Sequence, residues 1–173
     1  VILLVSAATS FNGYDKDPGL EGKNPSRIND DYLKQASAYS YEQLKKNHID
    51  DYRNLYGRMD IYLGENNLSS LPTDERIEAV QKGNDDPQLL ALFFQYARYL
   101  LISSSRPGTQ AANLQGIWND KVRPPWACCW TININIQMNY WIAESCNLSE
   151  CHEPVFDLLE GMRDTGSTTA KVN

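Results

Sequence analysis

The chain of 173 residues carries 22 acidic against 16 basic side chains, for a net charge of −6, with 42% hydrophobic and 10% aromatic residues. This length supports a domain with a real core, and the composition is globular, which excludes disorder throughout. The acidic balance argues against a nucleic-acid partner, which needs a basic face to displace counterions, and clusters such as Lys45-Lys46 read as solvated helix surface.

Val1 to Phe11 is rich in β-branched and small residues and runs into Asn12-Gly13, the pattern of a strand ending in a turn. Val1 to Val5 is apolar but far too short to span a membrane, and no basic segment makes it a signal peptide. A start on Val1 without Met, and a stop after Lys171-Val172-Asn173, read as a piece of a longer protein. Gly13 to Arg27, with its glycines and prolines, reads as a linker.

From Asn29 the pattern turns helical. Tyr32, Leu33, Ala36 and Tyr39 recur at helical spacing, and Ser40-x-x-Gln43 is a capping box opening a helix to about Arg58. That helix sets Leu44, His48, Tyr52, Leu55 and Met59 on one face, where His48 is expected to pack rather than catalyse. Thr73 is expected to cap a short acidic-first helix ending near Gly83. Asp86-Pro87 opens a helix that is apolar nearly all round, from Leu89 to Ile102, and is expected to be buried on most sides. Thr109 to Trp130 is a long irregular stretch, followed by a helix from Ile134 or Asn135 to Cys146 and another from Glu153 through Met162. Helices joined by loops, with no strand after Phe11, define a mainly α fold.

Asn113 to Leu148 gathers all four tryptophans, and among them stand the amides Asn113, Gln115, Asn119, Asn133, Asn135, Gln137 and Asn139. Amides donate and accept without charge, and aromatic faces offer apolar platforms, a mixture suited to a neutral, hydroxyl-rich ligand such as a sugar. The competing reading is a buried polar network that satisfies backbone groups. Cys128, Cys129, Cys146 and Cys151 lack the paired spacing of a zinc site. No metal or cofactor is expected, and a disulfide to the first pair stays open. Asn67-Leu68-Ser69 and Asn147-Leu148-Ser149 fit the glycosylation sequon.

Three blocks carry a family resemblance: Asn113-Leu114-Gln115-Gly116-Ile117-Trp118-Asn119, then Pro124-Pro125-Trp126, then Thr131 through Trp141 with Ala143-Glu144. In order and spacing they resemble glycoside hydrolase family 95, the α-L-fucosidases. The resemblance implies residues 1–12 as the terminal strand of a β-sandwich, 13–58 as a linker with helices, and 59–173 as the opening part of an (α/α)6 catalytic barrel. It implies an exo-acting, inverting hydrolase that removes terminal α-L-fucosyl residues from oligosaccharides or glycans, in an exported parent. Asn133 and Asn135 match the amides that hold the attacking water, which requires extended backbone if both are to face one cleft. Trp118, Trp126 and Trp130 are the candidate sugar platforms. Thr131 stands where many fucosidases of this family have a His near the C5 substituent, and threonine there accompanies α-L-galactosidase activity in some members. The general acid and base are expected beyond Asn173, so Glu144, Glu150, Asp157 and Glu160 are not assigned those roles and the chain alone is expected to be inactive.

Overall fold

The computed structural model describes residues 1–172, which are mainly helical. The chain divides into two compact units, Val1–Tyr52 and a second that begins at Arg53.

In the first unit, residues 1–13 form neither helix nor ladder, so the strand expected over Val1 to Phe11 is not formed. A ladder needs a partner for its N–H and C=O groups, and no strand forms among the described residues. The segment is tied instead by the Ser6 hydroxyl, which donates to Asn29 Oδ1 at 2.8 Å, and by the Lys23 N–H, which donates to the Ser10 carbonyl at 2.9 Å. A Cβ on Gly22 would collide with the Pro18 carbonyl oxygen, so this turn requires glycine. Asn24 accepts the Arg27 N–H at 3.1 Å and starts α1 (Pro25–Ser37), earlier than the expected Asn29. The capping box forms in both directions: the Ser40 N–H donates to Gln43 Oε1 at 3.0 Å, and the Gln43 N–H to Ser40 Oγ at 3.3 Å. It opens α2 (Tyr41–Tyr56). His48 is exposed on this helix and does not pack, contrary to its place on the apolar stripe.

The second unit is organised on a buried cation. Carbonyls at a helix C-terminus lack intrahelical partners, and the fully buried Arg98 supplies them. Its guanidinium donates to the carbonyls of Leu55 (3.1 Å), Tyr56 (2.8 Å) and Met59 (2.9 Å), just where α2 ends. Gln95 shares the task, accepting from Arg98 at 2.8 Å and donating to the Met59 carbonyl at 3.1 Å. The negative end of the helix dipole therefore faces a positive charge.

Thr73 is the first residue of α3 (Thr73–Gln81) rather than its cap; Pro72 takes the cap position and makes no side-chain hydrogen bond. Asp74 and Glu75 in the first turn complement the helix dipole instead. Asp86 caps α4 (Pro87–Ser104) by accepting the Leu89 N–H at 2.9 Å, and it takes a two-pronged contact from Arg76 at 2.8 and 2.9 Å. The hydrogen bond with Arg76 holds the Asp86 carboxyl below the usual carboxylate range.

The expectation that α4 is buried on most sides is corrected. Ala91, Gln95, Arg98, Leu101 and Ile102 are buried, whereas Leu90, Phe93 and Tyr96 are exposed, Phe93 at 72%. Among the described residues α4 packs against α3 and α5 (Asn135–Ser145), which cover one side of it. The remaining core gathers where α5 and α6 (Glu153–Val172) meet the 3₁₀ turn Ser149–His152, with Ala143, Leu148 and Cys151 fully buried. α6 continues well past the expected Met162, through Gly166. Among the described residues no helix is long and apolar enough to cross a membrane.

Candidate functional site

The long loop between α4 and α5 is held by a directed chain of hydrogen bonds. The buried Ala112 N–H donates to the Tyr140 hydroxyl oxygen at 2.7 Å. The Ser105 hydroxyl donates to the Cys151 carbonyl at 2.8 Å, so at its 2.7 Å contact with Tyr140 it must accept the phenolic proton. One buried tyrosine thus joins α5, the end of α4, the start of the loop and the turn before α6. Burial raises its pKa. Beside it, the Trp130 indole N–H donates to the Ala111 carbonyl at 2.8 Å, and Asn139 Nδ2 donates to the Asn113 carbonyl at 3.0 Å.

Asn113 and Gly116 exchange backbone bonds at 3.1 and 3.0 Å, closing a tight turn. Gly116 sits at φ +68°, and a Cβ there would lie 2.6 Å from the Trp118 ring, so glycine lets this indole lie against the turn. Asn119 closes the next turn by bonding both the N–H and the carbonyl of Lys121 at 2.9 Å. After Pro124-Pro125 come three non-glycine residues of positive φ, Trp126 (54°), Ala127 (52°) and Cys128 (51°). The Cys128 thiol donates to Gln115 Oε1.

The backbone expected to be extended at Asn133 and Asn135 is instead a turn. The Ile136 N–H donates to the Thr131 carbonyl at 3.1 Å, which folds residues 132–134 and starts α5 at Asn135. Asn133 is exposed in this turn, and Asn135 is half-buried at the first helical position. The amides of the region then separate into two groups. Asn113, Gln115, Asn119, Gln137 and Asn139 bond the loop or the start of the helix. Among the described residues Asn133 and Asn135 make no side-chain hydrogen bond, and their donors and acceptors remain available.

The platforms differ in placement. Trp118 lines a cleft of about 330 Å³ with Ala97, Leu100, Gln115 and Asn139. Trp130 lines a neighbouring cleft of about 430 Å³ with Ser103, Arg106, Gln110 and Asn113. Trp126 projects outward, 83% exposed. Neither cleft is lined by Thr131, Asn133, Asn135 or Trp126, so the structure brings Trp118 and Trp130 to adjoining hollows and does not gather the other four with them. The bracing roles of Ser105 and the Tyr140 hydroxyl were not visible in the sequence, because their partners lie 35 residues apart.

The carboxylates that the sequence set aside have other partners. Glu150 pairs with Arg58 at 2.8 Å, Glu144 with His152 at 2.9 Å and Glu160 with Arg163 at 2.6 Å, while Asp157 is exposed. His152 stacks between Tyr140 and Phe156. The four cysteines are free thiols, and among the described residues no group of three or more His, Cys, Asp or Glu side chains gathers as a metal site.

A mainly helical chain with a braced, amide- and tryptophan-rich interhelical loop is the setting in which the family relation falls. Residues 40–173 match the model of the glycosyl hydrolase family 95 catalytic domain, and the chain belongs to that family. It is similar to alpha-L-fucosidase 2 of Arabidopsis thaliana, 41% identical across 99% of this chain and 21% of the relative. It is also similar to probable alpha-fucosidase A of Aspergillus niger, 34% identical over 99% of this chain and 22% of the relative. The corresponding protein of Aspergillus oryzae is 32% identical over 98% of this chain and 25% of the relative. The chain thus spans about a fifth to a quarter of the length of these curated relatives.

Proposed function

We propose that the protein is an exo-acting, inverting glycoside hydrolase that removes terminal α-L-fucosyl residues from oligosaccharides or glycans, and that this chain supplies its water-positioning amides. Residues 59–173 are read as the opening part of its helical catalytic barrel and residues 13–58 as the linker before it. The observation that carries the reading is the division of labour among the amides: five brace the loop, while Asn133 and Asn135 are left with unused groups at its exit.

Inversion needs an acid for the leaving oxygen and a base that activates water on the opposite face of the ring. An amide oxygen can accept one proton of that water and aim its lone pair at the anomeric carbon, while the amide N–H₂ steadies the base. Glu144, Glu150 and Glu160 are engaged with His152, Arg58 and Arg163, and Asp157 lies exposed on α6, so acid and base are assigned to the remainder of the protein. Thr131 adjoins the amides and is assigned the sugar's C5 substituent; its hydroxyl suits L-galactose, which differs from L-fucose by one hydroxyl on C6.

In the intact protein, Asn135→Ala and Asn133→Ala should each lower kcat on an aryl α-L-fucoside by about a hundredfold or more, with thermal unfolding unchanged. Near-normal turnover in both variants would remove the amides from the mechanism. Absence of any sugar release by the folded wild-type protein would favour a helical carbohydrate-binding module instead.

A further inference from the structure

We propose that Cys128 and Cys129 form a reversible modification site, a neighbouring thiol pair that closes to an intramolecular disulfide by exchange with a small disulfide oxidant. This inference stands independently of the hydrolase reading. Of the four free thiols, Cys146 and Cys151 are buried, whereas Cys129 is exposed and Cys128 half-buried. The reactive pair is therefore the adjacent one.

Three features set its behaviour. Consecutive Cα atoms are about 3.8 Å apart across a trans peptide, closer than the roughly 4.4–6.8 Å of ordinary disulfides, so the ring is strained and readily reduced. Strain of this kind makes the bond labile rather than structural. Second, the pair closes the run of positive φ at Trp126, Ala127 and Cys128, a conformation that L residues adopt only under constraint. Third, the two flanks differ: Trp130 is anchored to the Ala111 carbonyl at 2.8 Å, whereas Trp126 is 83% exposed. Ring closure takes Cys128 away from Gln115 and displaces the Trp126 side of the loop, while the Trp130 side holds.

The exchange balances in two steps. The exposed Cys129 thiolate attacks one sulfur of RS–SR, forming a mixed disulfide and releasing one RS⁻. The Cys128 thiolate then attacks the Cys129 sulfur, forming the Sγ–Sγ bond and releasing the second RS⁻. Two thiols are oxidised, one disulfide is reduced to two thiols, and the two cysteine protons pass to the released thiolates through solvent.

The test uses the intact protein equilibrated with oxidised and reduced glutathione, quenched in acid, alkylated under denaturing conditions and cut with chymotrypsin after Trp126 and Trp130. The peptide Ala127–Trp130 holds this pair and neither of the other cysteines. Under oxidising buffer it should appear unalkylated and lighter by two hydrogen atoms, and after dithiothreitol it should appear doubly alkylated. In Cys128→Ser the same treatment should leave glutathione attached to Cys129. A stable glutathione adduct on wild-type Cys129, a dimer cross-linked through Cys129, or a peptide doubly alkylated at every buffer ratio would each overturn the proposal.

Discussion

The Tyr140 hydroxyl oxygen accepts the backbone N–H of Ala112 at 2.7 Å, tying the middle of α5 to the start of a loop 28 residues earlier. Ala112 is buried, so no water replaces a lost acceptor. Tyr140→Phe should destabilise the intact protein by about 1–3 kcal/mol, the cost of leaving a buried donor unpaired. Ser105→Ala strands the buried Tyr140 hydroxyl proton and the Cys151 carbonyl and should cost a comparable amount, and the double variant should fall short of the sum, because both break one chain of bonds. Chemical denaturation of the four proteins measures this coupling, and full additivity would show that the chain of bonds does not act as a unit.

Arg98 is fully buried and donates to three carbonyls at the end of α2. Arg98→Ala leaves those carbonyls and a cavity, and should cost about 3 kcal/mol or more. Arg98→Lys keeps the charge but has no planar fork to span the three acceptors, so it should fall between wild type and alanine. Equal stability of the lysine variant and wild type would mean that charge alone, without the fork, satisfies the helix end.

Much of this architecture was legible in the sequence. Ser40-x-x-Gln43 and Asp86-Pro87 announced their helices because a cap is a local device, with donor and acceptor a few residues apart. The expectation for α4 failed because a count of apolar residues does not say which neighbours are present; Leu90, Phe93 and Tyr96 are exposed while Gln95 and Arg98 are buried. Val1 to Phe11 has strand composition, but strand formation depends on a partner and the segment has none among the described residues. At the candidate site, the amides and tryptophans were visible as composition. The turn at residues 132–134 was not, because it depends on the Ile136 N–H reaching back to Thr131.

Gly116 is where the loop is most sensitive to one added carbon. Gly116→Ala must hold a positive φ and push the Trp118 ring aside from a 2.6 Å approach. A cost of about 1–2 kcal/mol is expected from the left-handed backbone alone, with a shift in tryptophan emission as Trp118 moves. Unchanged emission and stability would contradict the close packing of this turn.

Acid should loosen the second unit in a defined window. The hydrogen bond with Arg58 lowers the Glu150 carboxyl from 4.5 to about 2. Because the folded value is depressed, the stabilisation is complete above about 4.5 and is lost as pH falls through about 2. The stability gap between wild type and Glu150→Gln should shrink across that window. It should be modest, since the Glu150 side chain is 40% exposed and solvent screens the pair. A gap independent of pH from neutrality to pH 2 would sink this assignment. Asp86, lowered chiefly by its bond with Arg76, should add a loss of the same sign.

Thr131 is the position at which substrate choice should turn. In the intact protein Thr131→His should reduce kcat/KM on an aryl α-L-galactoside relative to the matched α-L-fucoside, because the larger ring takes the room and the hydroxyl partner of the extra C6 oxygen. An unchanged ratio would place C6 recognition elsewhere.

The proposal that Asn133 and Asn135 aim a water at the far face of the sugar is tested most directly by proton NMR of the first-formed anomer, recorded while the intact protein hydrolyses an aryl α-L-fucoside. Direct attack by the held water should release β-L-fucose first, with the α anomer growing in only by mutarotation. Initial release of α-L-fucose would mean a covalent glycosyl intermediate and would contradict the role given to the two amides.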